Sequence, residues 1–186
     1  VTEIKLGVND PSERQCGDCT LCCKLVPVRE LDKGAGQRCL YQRHGAGCTI
    51  YAHRPMSCQL WSCLWYADAP RTADLRRPDR SHYVIDIFPD FVEVTDGEET
   101  IRLDVVVVWV DPKYPDAHRD PALRAMLERQ RSAALIRYSA TDGFVIFPPE
   151  LSPTGRWWER RREPGDSTTG EHTVEEILGG FNVEEV

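Results

Sequence analysis

No stretch of this 186-residue chain approaches the ~18 consecutive apolar residues that a membrane-spanning helix needs. The first residues carry no basic flank followed by an apolar run, so no signal peptide is expected. Positive charge is also short. Lys and Arg number 23 against 30 Asp and Glu, a formal charge of −7, which argues against a protein that lives on a phosphate backbone. There is no Gly-rich phosphate loop, no Gly-x-Ser-x-Gly and no His-Glu-x-x-His. The expectation is a soluble, acidic, cytoplasmic protein with no membrane contact, no nucleic-acid partner and no recognisable catalytic signature. The most telling absence is of cysteine beyond Cys63, because all eight cysteines fall between Cys16 and Cys63.

Three zones differ in composition. Residues 1–70 are rich in cysteine, glycine and turns, and read as a metal-binding module. Residues 71–150 carry nearly all the regular periodicity and read as sheet plus helix within the same compact unit. Residues 151–186 are polar and read as a C-terminal tail. In the middle zone, Tyr83 to Phe88 and Phe91 to Val94 are strand-like, Asp96-Gly97 signals a turn, and Ile101 to Val110 is a long β-branched run. One face of that run is Ile101, Leu103, Val105, Val107 and Trp109. The other begins polar at Arg102 and Asp104 and turns apolar at Val106, Val108 and Val110, as in a strand buried on both faces along half its length. Asp120-Pro121 is an N-cap followed by proline at the first helical position, and Leu123, Met126, Leu127, Ala134 and Tyr138 keep near-helical spacing to about Ser139. Phe144 to Phe147 reads as a strand stopped by Pro148-Pro149. The fold expected is α+β: a cysteine-rich, metal-bound N-terminal module packed on a small antiparallel sheet with one main helix.

Cys16, Cys19, Cys22 and Cys23 form C-x2-C-x2-C-C, and Cys39, Cys48, Cys58 and Cys63 follow at wider gaps. Disulfides fit this poorly, since adjacent Cys22 and Cys23 cannot easily bridge each other and small disulfide scaffolds spread their staples along the chain. Chelation accounts for the spacing. Ligands one turn apart point several sulfurs into one small volume, where a soft cation such as zinc or cluster iron stabilises the thiolates. Gly17, Gly34, Gly36, Gly45 and Gly47 let the backbone wrap such a site. Arg54, held away from helix by Pro55, is placed to offset thiolate charge and donate to sulfur. Tyr51, Trp61 and Trp65 are read as an apolar wall near the site.

Residues Cys16 to Trp61 resemble the CxxCxxCC cysteine-cluster family, the YkgJ-like group described as zinc- or iron-chelating. The resemblance rests on Cys16-x2-Cys19-x2-Cys22-Cys23, on Cys39-Leu40, and on Cys48-Thr49-Ile50-Tyr51-Ala52-His53-Arg54-Pro55-Met56-Ser57-Cys58, about a quarter of the chain. It departs from the family pattern at Gln59, where an arginine often follows the last motif cysteine, and at Trp61. Cys63 lies beyond the matched part. The resemblance implies cysteines as metal ligands and no particular reaction.

Two cofactors fit the pattern. Zinc is the first choice, and eight thiolates suffice for two four-coordinate sites. An Fe–S cluster in electron transfer or a redox reaction is the alternative, although the ferredoxin run would continue to a fourth cysteine followed by proline, and here Cys23 is followed by Lys24. Trp157-Trp158 in the polar tail are expected to pack back onto the body, as buried aromatics usually do; the third functional reading is a zinc-stabilised adaptor that captures a protein partner through them. His44 and His53, flanked by arginine and turns, read as exposed. Asp116-x-His118-x-Asp120 imitates a metal site, but Asp120 is better used as a cap. Arg76, Arg77 and Arg80 read as a solvated loop.

Overall fold

The computed structural model describes residues 14–43, 45–96, 99–152, 154–161 and 172–173. The N-terminal part is built from short pieces: α1 (Leu21–Leu25), the hairpin β1 (Gln42–Arg43) and β2 (Gly47–Cys48), α2 (Met56–Leu60), α3 (Leu64–Ala67) and α4 (Pro78–Ser81). Then come β3 (Tyr83–Ile85), β4 (Asp90–Asp96), β5 (Glu99–Val110), α5 (Pro121–Gln130), β6 (Ala133–Arg137), β7 (Gly143–Phe147), β8 (Trp158–Arg161) and β9 (His172–Thr173). The class is α+β, as expected.

The main sheet runs β8-β7-β6-β5-β4-β9, with β3 also on β5. β4 pairs the first half of β5 and β3 pairs its last three residues, both antiparallel, so the two share one edge end to end. The sheet is mixed rather than purely antiparallel, because β6 lies parallel to β5 and β9 parallel to β4. A parallel neighbour requires a crossover, and α5 is that crossover.

The expected helix reaching Ser139 is corrected here. α5 ends at Gln130, where Arg131 takes the left-handed conformation (φ 49°, ψ 46°) and donates back to the carbonyls of Glu128 and Leu127. The residues that follow form β6. Ala134 and Tyr138 kept helical spacing because residues four apart share a face in a strand as well as in a helix. Tyr83 to Phe88 is also shorter than expected: β3 stops at Ile85, Asp86 bridges to Cys63, and Phe88 is exposed. Gly97 of the expected Asp96-Gly97 turn lies outside the described residues.

Both faces of β5 are covered along Val105–Val110. Val106, Val108 and Val110 join Tyr83, Ile85, Ala134 and Ile136 beneath Leu123, Met126 and Leu127 of α5. The reverse face divides. Val105, Ala133, Phe147 and Trp158 pack together at one end, while Val84, Val107 and Trp109 receive Leu21 and Leu25 of α1 at the other. Leu21 and Leu25 stand one turn apart, and burying each contributes roughly 1.5–3 kcal/mol. An ion pair from Lys24 to Asp111, just past β5, fixes α1 there. The cysteine-bearing module is therefore the third layer of the molecule.

Residues 158–161, expected in a polar tail, instead form an edge strand of the sheet. Trp158 is 5% exposed, and half-buried Trp157 donates to Glu128 at 3.0 Å beneath the Arg124 guanidinium. Neither ring is displayed for a partner. Further along the expected tail, His172 and Thr173 form β9, and residues 174–186 fall outside the described residues. No helix among the described residues is long and apolar enough to cross a membrane.

Candidate metal centre

All eight cysteines carry free thiols, and seven of them gather around α1. A tight turn brings in the first two: Cys19 N–H donates to the Cys16 carbonyl at 2.8 Å, with Gly17 between them at φ +52°. Only a residue without Cβ adopts that angle cheaply. Gly47 of β2, at φ +80°, approaches the same turn, and a Cβ there would meet the Gly17 carbonyl at 3.4 Å. Cys22 and Cys23 follow on α1. Cys39 is tied to them by its N–H, which donates to the Cys23 carbonyl at 2.9 Å. Cys58 rides on α2, whose first turn is anchored by the Glu30 carboxylate accepting from Ser57 N–H at 2.9 Å and Ser57 Oγ at 2.7 Å. Cys63 precedes α3, is 8% exposed, and packs with Cys19, Cys22 and Trp61 against the sheet. Although it lies beyond the motif, the structure brings it beside Cys16, Cys19 and Cys22.

The thiols differ electrostatically. Burial raises Cys16, Cys19 and Cys58 above the ordinary thiol value and pushes Cys63 up to about 11. A hydrogen bond with Cys23, together with burial, raises Cys22 well above that value. The same hydrogen bond, with help from Lys33 and Arg54, lowers Cys23 to about 7. One thiolate is thus prepared within a set of protonated neighbours.

Four cations surround these sulfurs. Arg54, singled out from the sequence, stands within electrostatic reach of Cys16 and Cys23 and stacks over Tyr51 at 4.1 Å. The other three gave little sign in the sequence. Lys33 is 7% exposed, its ammonium donating to the Val26 carbonyl, and it faces Cys22, Cys23, Cys39 and Cys58. Arg77 is not a solvated side chain: it pairs with Asp18 at 2.8 Å and Asp79 at 2.6 Å and lies near Cys16 and Cys19. Arg14 bonds the Trp65 carbonyl at 2.8 Å and Thr72 at 2.6 Å, stacks on Trp65, and faces Cys63. A lone lysine or arginine far away in sequence has no periodicity to reveal it.

The apolar wall is narrower than expected. Trp61 and Trp65 line the sheet side, Trp61 donating to Asp86 at 2.8 Å, but Tyr51 is 59% exposed because it is drawn outward under Arg54. His53 is exposed and His44 falls outside the described residues. His118 is bound to Pro115 and Glu159, far from any cysteine in the fold, and Asp120 caps α5 by accepting from Ala122 N–H at 3.0 Å.

Thiolates are donors of the right softness for zinc or iron, and the surrounding cations suit the charge such a site acquires. Among the described residues, however, no three Cys, His, Asp or Glu side chains converge closely enough to hold an ion as they stand. Comparison with known proteins adds no relative: no protein-family model, no curated protein and no solved structure matches the chain.

Proposed function

We propose that the protein binds metal, zinc in the first place, through Cys16, Cys19, Cys22, Cys23, Cys39, Cys48, Cys58 and Cys63. The observation that carries the reading is the gathering of thiols from five separate chain segments beneath four cationic side chains. Protonated thiols clustered beside Lys33 and Arg14 offer those cations no full opposite charge. Thiolates on a metal supply that charge. The motif resemblance to the CxxCxxCC family points the same way. Eight free thiols also suit a reducing compartment, which makes the cytoplasm the proposed location. Metal affinity would then contribute to folding stability, as it does in other cysteine-based modules.

Elemental analysis and a visible spectrum of protein purified without oxygen test this. Bound zinc with no visible band supports the reading, because d¹⁰ zinc is colourless. Iron with matching acid-labile sulfide and a brown colour would replace zinc by an Fe–S cluster. Protein that retains neither metal, and takes up neither when reconstituted under reducing conditions, would overturn the proposal.

A further inference from the structure

The apolar side chains that α2 turns away from Cys58 are uncovered. Met56 and Leu60 stand one turn apart on this helix and are 61% and 72% exposed. Tyr51, also exposed, lies just before the helix with the Arg54 guanidinium 4.1 Å above its ring. At the other end Trp61 Nε1 donates to Asp86 Oδ1 at 2.8 Å, and the same oxygen accepts from Phe88 N–H at 3.0 Å. Phe88, 61% exposed, is thereby held beside the end of α2. Large apolar side chains exposed singly need no explanation, but four around one short helix mark a surface made to be covered.

The same surface is positively charged. Arg54 precedes α2, and Arg29 precedes Glu30, whose carboxylate is taken up by Ser57 in the first turn of that helix. Among the described residues neither arginine is paired with a carboxylate. On the body, by contrast, Arg76, Arg124, Arg129 and Arg137 pair with Asp120, Glu159, Asp74 and Asp90.

One segment of the chain has the complementary composition. Residues 174–186 hold Glu175, Glu176, Glu184 and Glu185 and neither Lys nor Arg, interspersed with Ile177, Leu178, Phe181 and Val183. They follow β9, where Thr173 lies opposite Thr95 of β4. The chain from Thr95 back to Phe88 spans at most about 24 Å, and residues 174–186 extend to about 43 Å. The segment is long enough to reach.

We propose that residues 174–186 dock on this face of their own chain, their apolar side chains against Tyr51, Met56, Leu60 and Phe88 and their glutamates toward Arg29 and Arg54. So placed, the segment lies across the helix that carries Cys58 and screens that side of the cysteine module from water. The docking does not depend on whether the cysteines hold an ion.

The test uses the full-length reduced chain carrying Leu60→p-benzoylphenylalanine at this exposed position, irradiated and mapped by peptide mass spectrometry. The main adduct joins residue 60 to residues 174–186 and runs at monomer mass on a denaturing gel. Ile177→Asp with Leu178→Asp lowers its yield about tenfold, and raising salt from about 0.05 M to about 0.5 M lowers it about threefold, because ions screen the attraction. If the residue-60 variant loses its native circular dichroism, Met56→p-benzoylphenylalanine replaces it. Absence of an adduct in residues 174–186, or a yield indifferent to the double substitution or to salt, would overturn the proposal. Adducts found only at dimer mass would also overturn it and give the face to a second copy. Flotation of the wild type with phosphatidylserine vesicles, without the adduct, would overturn it in favour of an anionic lipid surface.

Discussion

Cys22 and Cys23, adjacent on α1, are shifted in opposite directions by the hydrogen bond between them, Cys22 well above the ordinary thiol value and Cys23 down to about 7. Cys23 is thus the sulfur of the pair moved toward the thiolate.

In chelator-treated protein, Cys23 is expected to be the first thiol alkylated by iodoacetamide, with a midpoint near its value of about 7. Cys22→Ala removes that hydrogen-bond partner, returns Cys23 toward the ordinary ~8.5, and slows labelling at pH 7 by roughly tenfold. Added zinc protects Cys23. Peptide mapping by mass spectrometry over a pH series reads all three effects, and equal labelling of every cysteine would refute the asymmetry.

Glu159 governs the acid side. Burial would raise its carboxyl, but hydrogen bonds from His118 and Arg119 overcome burial and hold it at about 2. A depressed carboxyl contributes stability above its unfolded value of ~4.3, and that contribution is lost as pH falls from there to about 2. The amount is on the order of 2–3 kcal/mol. Glu159→Gln should flatten the stability profile across that window in urea titrations. It should also lower stability at pH 7 by about 3 kcal/mol, because Arg119 and Arg124 then lose the carboxylate they share.

Asp120 has three partners: it caps α5 through Ala122 N–H, and its other oxygen meets Tyr83 Oη at 3.3 Å and Arg76 at 3.2 Å. Asp120→Ala should cost about 1–2 kcal/mol. Asp120→Asn keeps the cap and should recover most of it. Thermal unfolding of the two variants separates capping from charge.

Arg131→Gly should stabilise the chain. The left-handed angle at that position costs a non-glycine residue about 1–2 kcal/mol, against the smaller unfolded-state penalty of glycine, so a net gain of about 0.5–1 kcal/mol is expected. A lower denaturation midpoint would mean that the Arg131 side chain contributes more than its backbone costs.

The strands were legible where chemistry is local. Val105–Val110 announced burial on both faces by its unbroken apolar run, and Asp120-Pro121 announced the start of α5. The end of α5 was not legible, since Arg131 terminates it through a backbone angle that its side chain does not advertise. The sheet's mixed character depends on β6, which helical spacing concealed. At the centre, the cysteines of the motif were visible because they crowd together in sequence. Lys33, Arg14 and Arg77 were not, because what places them is the packing of α1 on the sheet and the bonds of Arg14 to Trp65 and Thr72. Trp158 was read as tail because its arginine neighbours mask a strand that pairs residue by residue with β7.

The bridge between Cys63 and Asp86 has a consequence for how the molecule can be divided. Through it the cysteine-bearing segment is stitched onto the backbone ladder that β3 shares with β5, and Leu21 and Leu25 are buried in one cluster with Val84, Val107 and Trp109 of that sheet. A fragment ending at residue 70 would therefore not be an independent finger. Excised, it would offer its apolar underside to solvent and aggregate, whatever metal it was given. Protease should find no productive cut that frees the two halves while both stay folded.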